Sequence, residues 1–362
     1  MERIHGGDRL RFLEEYGREP LDFSASVNVL GMPEPALKAA REALEGPDRY
    51  PDMRCRALSK ALALHHQVRE EKILCGSGAA DLIFRYCLAL RPSHALIPVP
   101  AFSEYAQALK AAGCEKIEQH PTGRDTLFTP GRSLLERLRT GPEPDLLILC
   151  EPGNPSGRTT PAEVLEEIVS LCRQKGIRLL VDECFMDFLE DGQGRSLICR
   201  IEEAPVTVLR AFTKFYGMAK LRLGYCISAD TQLLKKMARA GSPWPVSEAA
   251  MAAGEAALGD AAYPDRVRSF VKGERVFIQE ALEKEGCFVV PGEANFLLFL
   301  SPDADLGEKL KEKGILIRDC SGFSGLEKGW YRIGVRTREE NEKLITAVRM
   351  IIQGSGRDRT EA

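Results

Sequence analysis

One lysine in the middle of the chain has neighbours suited to binding an aldehyde covalently. Lys214 lies in the segment AFTKFYG (211–217), and LRLGY (221–225) follows a few residues later. A lysine amine can form an imine with an aldehyde, while the hydroxyl of Thr213 and the guanidinium of Arg222 can hold a phosphate. Because most lysines are simply solvated charges, the case for Lys214 depends on the other polar segments.

A carboxylate closes one of the most apolar stretches of the chain. Asp182 and Glu183 follow the apolar residues 179–181. Burying a carboxylate at the end of such a stretch is costly unless it meets a cation. The protonated nitrogen of a pyridine ring would supply that cation, and the contact would keep the ring an electron sink. A salt bridge to an arginine or lysine is the alternative.

Two further loops combine small, polar and rigid residues. The turn GSGAA (76–80) lies between an apolar run and an amphipathic stretch, where backbone N–H groups can approach a phosphate at the start of a helix. The loop EPGNPSG (151–157) holds Asn154 between two prolines, with its amide projecting. The turn at 76–80 matches neither the nucleotide-binding P-loop nor the dinucleotide fingerprint. It could be only a turn, and turn formation also explains most of the loop at 151–157.

Apolar runs and helix-length segments alternate around these loops. Strands are predicted at 73–75, 95–99, 146–150, 177–182, 206–210 and 223–228. Strands that are apolar throughout indicate a mostly parallel sheet with both faces covered by helices, so the fold class is α/β. Ligands of such sheets gather at the carboxyl ends of the strands, where the four polar segments fall. After residue 245, strands and helices mix in a manner typical of an α+β unit.

The composition is that of an ordinary soluble globular protein, with 44% hydrophobic and 28% charged residues. A formal net charge of −3 gives no reason to expect nucleic acid or a membrane surface as a partner. No run is apolar enough for a signal peptide or a membrane span. The eleven cysteines are scattered and form no CxxC pair, which favours a reduced, cytoplasmic protein without a structural metal.

The order of these segments resembles the fold-type I pyridoxal-phosphate enzymes, in the branch of the histidinol-phosphate aminotransferases. The matching features are the glycine-rich turn at 76–80, PGNPSG at 152–157, the Asp-Glu pair at 182–183, the Thr-Lys pair at 213–214 and RLGY at 222–225. The resemblance extends from Asp22 to about Arg349. Within that branch, HGG (5–7), DFSASVNVLG (22–31), RYPD (49–52) and TKFY (213–216) are similar to the threonine-phosphate decarboxylases of cobamide synthesis.

This resemblance implies the fold-type I architecture, with a large domain built on a mostly parallel sheet and a smaller α+β C-terminal domain. Residues 1–44 would be an N-terminal arm that forms part of the small domain, residues 45–245 the large cofactor-binding domain, and residues 246–362 the small domain. It also implies pyridoxal 5′-phosphate as the cofactor and a homodimer with shared active sites.

The resemblance assigns a cofactor contact to several residues. Lys214 would form the imine, Asp182 would pair with the pyridine nitrogen, and Asn154 would hydrogen-bond the ring oxygen. The remaining contacts would be Tyr105 stacked on the ring, and a phosphate held by the backbone of Ala79 and Ala80, by Thr213 and Arg222, and by Tyr50 of a second subunit. Phe185 departs from the aminotransferase pattern, in which a tyrosine often helps to bind the ring oxygen.

Two late arginines are the candidates for binding the substrate. Arg318 and Arg332 lie in or beside apolar strands, where an unpaired guanidinium should find an anion, although an internal salt bridge is the alternative. The resemblance implies that Arg332 binds an α-carboxylate and that Arg318 and His5 bind a substrate phosphate, with help from Asn28. His5 could instead belong to a mobile terminus, and Arg336 could support the site or face solvent.

The implied reaction is decarboxylation of L-threonine O-3-phosphate to (R)-1-amino-2-propanol O-2-phosphate. The bond that breaks is the one held perpendicular to the cofactor ring, so the orientation of the substrate selects the reaction. The prediction of decarboxylation therefore depends chiefly on the resemblance at the HGG start of the chain. Three alternatives remain: decarboxylation of L-serine O-phosphate to ethanolamine phosphate, transamination of histidinol phosphate or another amino acid with 2-oxoglutarate, and a non-catalytic cofactor-binding module.

Overall fold

The computed structural model describes residues 6–358, which contain thirteen β-strands and fourteen α-helices. The strands are β1 Leu21–Asp22, β2 Ile73–Gly76, β3 His94–Val99, β4 Lys116–Pro121, β5 Leu146–Cys150, β6 Arg178–Asp182, β7 Val206–Ala211, β8 Gly224–Ser228, β9 Phe288–Val289, β10 Phe296–Leu300, β11 Ile315–Leu316, β12 Arg318–Asp319 and β13 Trp330–Gly334. The helices are α1 Arg9–Tyr16, α2 Glu34–Glu45, α3 Arg56–His66, α4 Ala79–Leu90, α5 Glu104–Ala111, α6 Arg132–Thr140, α7 Ala162–Lys175, α8 Gly192–Arg195, α9 Phe212–Phe215, α10 Thr231–Arg239, α11 Glu248–Leu258, α12 Tyr263–Lys284, α13 Leu306–Glu312 and α14 Arg338–Asp358.

Seven strands form the central sheet in the order β2-β8-β7-β6-β5-β3-β4. Strand β8 alone runs opposite to the other six strands of this sheet, so the prediction of a mostly parallel sheet is confirmed. The strands β6 and β7 are buried almost throughout because helices cover both faces. The edge strand β4, with the sequence KIEQHP, was not predicted, since its partly exposed polar residues give no apolar run.

The turn between β2 and α4 lies against the first residue of β8. A Cβ atom at Gly224 would come within 2.8 Å of the carbonyl carbon of Gly78 and 2.9 Å of the nitrogen of Ala79. Glycine is therefore the residue that allows β8 to pass this close to the start of α4. The consequence is that the amino end of α4 lies directly beside the segment containing Arg222.

A second, four-stranded antiparallel sheet has the order β12-β13-β10-β9. Near it, β1 pairs in parallel with β11, through Leu21 with Ile315 and Asp22 with Leu316. The N-terminal segment is thus joined to the C-terminal part of the chain. This pairing brings the residues after β1 close to β12 and β13.

Helix α12 connects the two hydrophobic cores. Its buried residues recur every three to four positions, which is the spacing of one helix face. Val267 and Val271 pack in the core of the large sheet, whereas Ile278 and Leu282 pack in the core of the small sheet. Helix α11 also packs in the first core, and the predicted domain boundary at residues 245/246 stays a prediction. None of the helices within residues 6–358 is long and apolar enough to cross a membrane.

Candidate active site

Ten of the predicted site residues line one cavity of about 420 Å³. It opens at the carboxyl ends of the central strands, and the segments around β12 and β13 form its opposite wall. The ten residues are Ala79, Ala80, Tyr105, Asn154, Asp182, Thr213, Lys214, Arg222, Arg318 and Arg332. Residues more than 250 positions apart in the sequence are therefore brought together as predicted.

Lys214 lies on the short helix α9, immediately after β7. Its partly buried Nζ is 5.7 Å from the centroid of the Phe185 ring. The pKa of Lys214 is lowered to about 8, first by burial and second by the positive charge of Arg332. The backbone N–H of Asn28 donates to the Lys214 carbonyl at 3.0 Å and holds this turn in place. Near pH 8 a large fraction of the amine is neutral and can act as a nucleophile.

Asp182 and Glu183 have different surroundings although they are neighbours in sequence. Asp182 lines the cavity, where its two oxygens accept hydrogen bonds from the Cys184 nitrogen at 3.0 Å and the Tyr105 hydroxyl at 2.8 Å. No arginine or lysine of the described residues forms an ion pair with it. Glu183 instead pairs with Arg210, at 2.8 Å between Oε2 and Nη2. The salt-bridge alternative therefore applies to Glu183, whereas the carboxylate of Asp182 is available to a cation in the cavity.

The amino end of α4 forms a cradle for an anion. The helix begins at Ala79 after Gly78, which provides no side-chain cap, so the first backbone N–H groups have no acceptor within the helix. A Cβ atom at Gly78 would lie 2.8 Å from Nη2 of Arg222, so glycine is needed there for the guanidinium to reach this position. Thr213 lines the same cavity. Unpaired N–H groups beside a guanidinium and a hydroxyl are suited to a phosphate.

Arg332 is a buried guanidinium without an acidic partner among the described residues. Its Nη1 donates to Oδ1 of Asn154 and its Nη2 to the Ser24 carbonyl at 3.2 Å, while its Nε has no hydrogen-bond partner. Burial lowers the pKa of Arg332 to about 10, and the charge of Arg318 contributes in the same direction. Arg318 lies over the ring of Phe323, at 5.5 Å from Cζ to the centroid, and forms no ion pair within the described part of the chain. Both arginines can therefore accept an anionic ligand.

Two predicted residues, Asn28 and Tyr50, do not line this cavity. Asn28 is buried beneath it, where its amide donates to the Phe215 carbonyl at 2.8 Å and to Tyr263 at 2.9 Å, so its placement does not support the predicted substrate contact. The ring of Tyr50 is 77% exposed and stacks on Trp244 at 4.5 Å. His5 lies outside the described residues.

Several residues that line the cavity were not predicted, among them Ser24, Ser26 and Phe323. The hydroxyl of Ser26, a residue only 1% exposed, has no hydrogen-bond partner among the described residues. Ser26 belongs to the segment 22–31, which carries part of the family resemblance. Nothing in the sequence, however, shows that Ser26 faces the cavity and Asn28 does not. Arg336 pairs with Glu340 at 2.8 Å, so it supports the fold near the site.

Comparison with known proteins identifies the family. The model of the family "Aminotransferase class I and II" matches residues 18–348. The chain belongs to this family. Membership confirms the predicted fold and pyridoxal phosphate as the cofactor, and the cavity fits that group: the amine of Lys214, the carboxylate of Asp182 and the cradle at α4 are each available to it.

Individual members of the aminotransferase class I and II family are similar over nearly their full length. The threonine-phosphate decarboxylase of Salmonella typhimurium is 36% identical over 357 residues, which cover 97% of each chain. A histidinol-phosphate aminotransferase of Methanosarcina mazei is 31% identical, over 92% of this chain and 89% of the relative. The crystal structure of the histidinol-phosphate aminotransferase from Clostridium acetobutylicum superposes with a TM-score of 0.84 at 26% identity, over 92% of this chain and 99% of that chain.

Proposed function

We propose that this chain is a pyridoxal-phosphate-dependent carboxy-lyase that converts L-threonine O-3-phosphate to (R)-1-amino-2-propanol O-2-phosphate and carbon dioxide, for the nucleotide loop of cobamides. The observation that carries this proposal is the pair Arg318 and Arg332, two guanidiniums without acidic partners among the described residues, in the same cavity as Lys214. A substrate with a carboxylate and a phosphate matches two such charges. The similarity to the Salmonella typhimurium decarboxylase supports the same substrate.

Eight residues of one subunit would hold the cofactor. Lys214 would bind it covalently, Asp182 would face the pyridine nitrogen, and Asn154 would donate its amide to the ring oxygen, because Oδ1 of Asn154 already accepts from Arg332. The others are Tyr105 beside the ring and the phosphate ligands Ala79, Thr213 and Arg222, with Ala80 adding a backbone N–H. When bound, pyridoxal phosphate supplies an electron sink that stabilises the charge left on Cα when a bond to that carbon breaks.

Lys214 would act at two points of the reaction, first as a nucleophile and later as a proton donor. The lowered pKa leaves part of the Nζ population neutral near pH 8, which is the form that attacks an aldehyde. Once the substrate amine has displaced it, the same Nζ can hold a proton and deliver it to Cα after carbon dioxide leaves. No other lysine of the described residues lines this cavity.

Arg332 and Arg318 would orient the substrate. Arg332 is fixed by its hydrogen bonds to Asn154 and to the Ser24 carbonyl, so an α-carboxylate bound to it has a defined position. Arg318 would hold the phosphate at the other end. With both ends held, rotation about the bonds of Cα is restricted, and the bond that breaks can be chosen by position alone.

The proposed assembly is a cytoplasmic homodimer in which Tyr50 of one subunit reaches the phosphate cradle of the other. Support comes from Tyr50 itself, because its exposed ring stacks on Trp244 outside the cavity of its own subunit. An aromatic pair left exposed in this way is suited to an interface. All eleven cysteines are free, which agrees with a reducing compartment.

A direct assay tests the proposed reaction. The purified protein, loaded with pyridoxal phosphate, is incubated with L-threonine O-3-phosphate, and carbon dioxide and the amino-alcohol phosphate are measured. Both products should form in equal amounts, and Lys214→Ala should lose both the activity and the visible absorbance of the imine. Glutamate formation from 2-oxoglutarate with histidinol phosphate, without decarboxylation, would instead assign the transaminase activity of the 31% identical relative.

A further inference from the structure

An aromatic ring borders the part of the cavity that contains Arg318. Phe323 lines the cavity, and its ring centroid is 5.5 Å from Cζ of Arg318. The ring is partly buried, and its outer side packs on a hydrophobic cluster that includes Leu298, Leu326 and Trp330. The face of the guanidinium and the face of the ring therefore form one corner of the cavity, charged on one side and apolar on the other.

The loop between β12 and β13 holds Phe323 in this position. Within the loop, the Phe323 nitrogen donates to the Cys320 carbonyl and the Leu326 nitrogen donates to the Phe323 carbonyl, both at 3.0 Å. The hydroxyl of Ser324 donates to Oε1 of Gln119 on the edge strand β4 at 2.7 Å. The loop thus spans from the small sheet to the large one, and the ring is fixed by bonds on both sides of it.

We propose that Phe323 recognises the Cβ methyl group of threonine phosphate and makes the site prefer this substrate to serine phosphate. The inference rests on the proposed function, in which Arg318 binds the substrate phosphate. In threonine phosphate the methyl group and the ester oxygen share one carbon atom, so a phosphate bound at Arg318 places the methyl group within two bonds of that oxygen. Phe323 is the ring that contacts this guanidinium, and contact with the methyl group removes apolar surface from water on both sides.

The experiment compares kcat/KM for the two substrates in wild type and in Phe323→Ala. The wild type should favour threonine phosphate. In Phe323→Ala the ratio of the two kcat/KM values should fall about tenfold, at the lower end of the range for one methyl group. The loss should lie in threonine phosphate alone and mainly in KM, because the ring contacts the substrate equally before and during the reaction. A wild type that prefers serine phosphate, or an equal loss for both substrates, would overturn the inference.

Two further variants separate ring contact from loop position. Phe323→Leu keeps an apolar side chain and should retain most of the preference for threonine phosphate. This variant also tests the inference if Phe323→Ala folds poorly. Ser324→Ala removes the bond to Gln119 but leaves the ring, so its ratio should stay within about twofold of wild type. A ratio in Ser324→Ala as low as in Phe323→Ala would assign the selectivity to the loop. Failure of the wild type to decarboxylate either substrate would contradict the proposed function. A changed ratio of the two kcat/KM values in a variant tests only the selectivity.

Discussion

Two buried arginines, one on each sheet, show how differently the same side chain can be used. Arg210 on β7 is 2% exposed and pairs with Glu183 at 2.8 Å and with Asp187 at 2.7 Å. Arg332 on β13 is 8% exposed and has no acidic partner among the described residues. Burial acts against both charges, but the two carboxylates hold the pKa of Arg210 above its usual value, whereas the pKa of Arg332 falls to about 10.

The groups that contact the guanidinium, rather than its burial, distinguish a structural arginine from one that can bind a ligand. Arg210 completes a charge network that already lies inside the protein, so its removal leaves a buried carboxylate alone. Arg332 is held by neutral groups, the Asn154 amide oxygen and the Ser24 carbonyl, so its charge stays available. Removal of Arg332 should therefore weaken ligand binding and leave the stability of the fold nearly unchanged.

The largest effect is expected for Arg210→Met, on stability. The variant leaves Glu183 buried without its cation, so the free energy of unfolding should fall by about 3–5 kcal/mol. Urea unfolding of the cofactor-free protein measures this change. The double variant Arg210→Met/Glu183→Gln should recover part of the loss, because it removes the unpaired charge. A loss below about 1 kcal/mol would show that the network is not a structural unit.

Arg332→Met should behave in the opposite way. Activity with threonine phosphate should fall on the order of a hundredfold in kcat/KM, because the substrate carboxylate loses a charged partner in a desolvated cavity. The free energy of unfolding should change by less than about 1 kcal/mol, since no buried carboxylate is left behind. Arg332→Lys is the matched control and should retain part of the activity. Equal losses of stability in the Arg332 and Arg210 methionine variants would remove the distinction.

Sequence alone predicts the central sheet and the position of the site better than it predicts the partners of the two arginines. The apolar runs of β5, β6 and β7 predict the sheet, and the polar residues at their ends predict where Lys214 and Asp182 meet. The partners of Arg210 and Arg332 cannot be predicted in this way, because they depend on which side chains face each other across the fold. Asn28 and Ser26 illustrate the limit: both are buried polar residues of one segment, yet only Ser26 lines the cavity.

The segments missed by sequence analysis have physical features in common. The strand β4 lies at an edge of the sheet, and Phe323 lies in a short loop, so neither belongs to a periodic apolar pattern. Their positions depend on tertiary contacts such as the bond from Ser324 to Gln119. Residues of this kind can determine substrate selectivity because they are held by the fold and are not required to form it.

The smallest effect expected is on the titration of Lys214. The unneutralised charge of Arg332 is, after burial, the largest influence that lowers the pKa of Lys214 to about 8, whereas Arg210 is neutralised by its carboxylates. Arg332→Met should therefore raise this pKa. Since the neutral amine forms the imine, cofactor-free Arg332→Met should bind pyridoxal phosphate a few-fold more slowly at pH 7, and the difference should vanish well above the pKa. The rise of imine absorbance against pH measures the midpoint. Arg332→Lys keeps the charge and should keep the midpoint, so a shift in both variants would assign the effect to packing around Lys214 and not to charge.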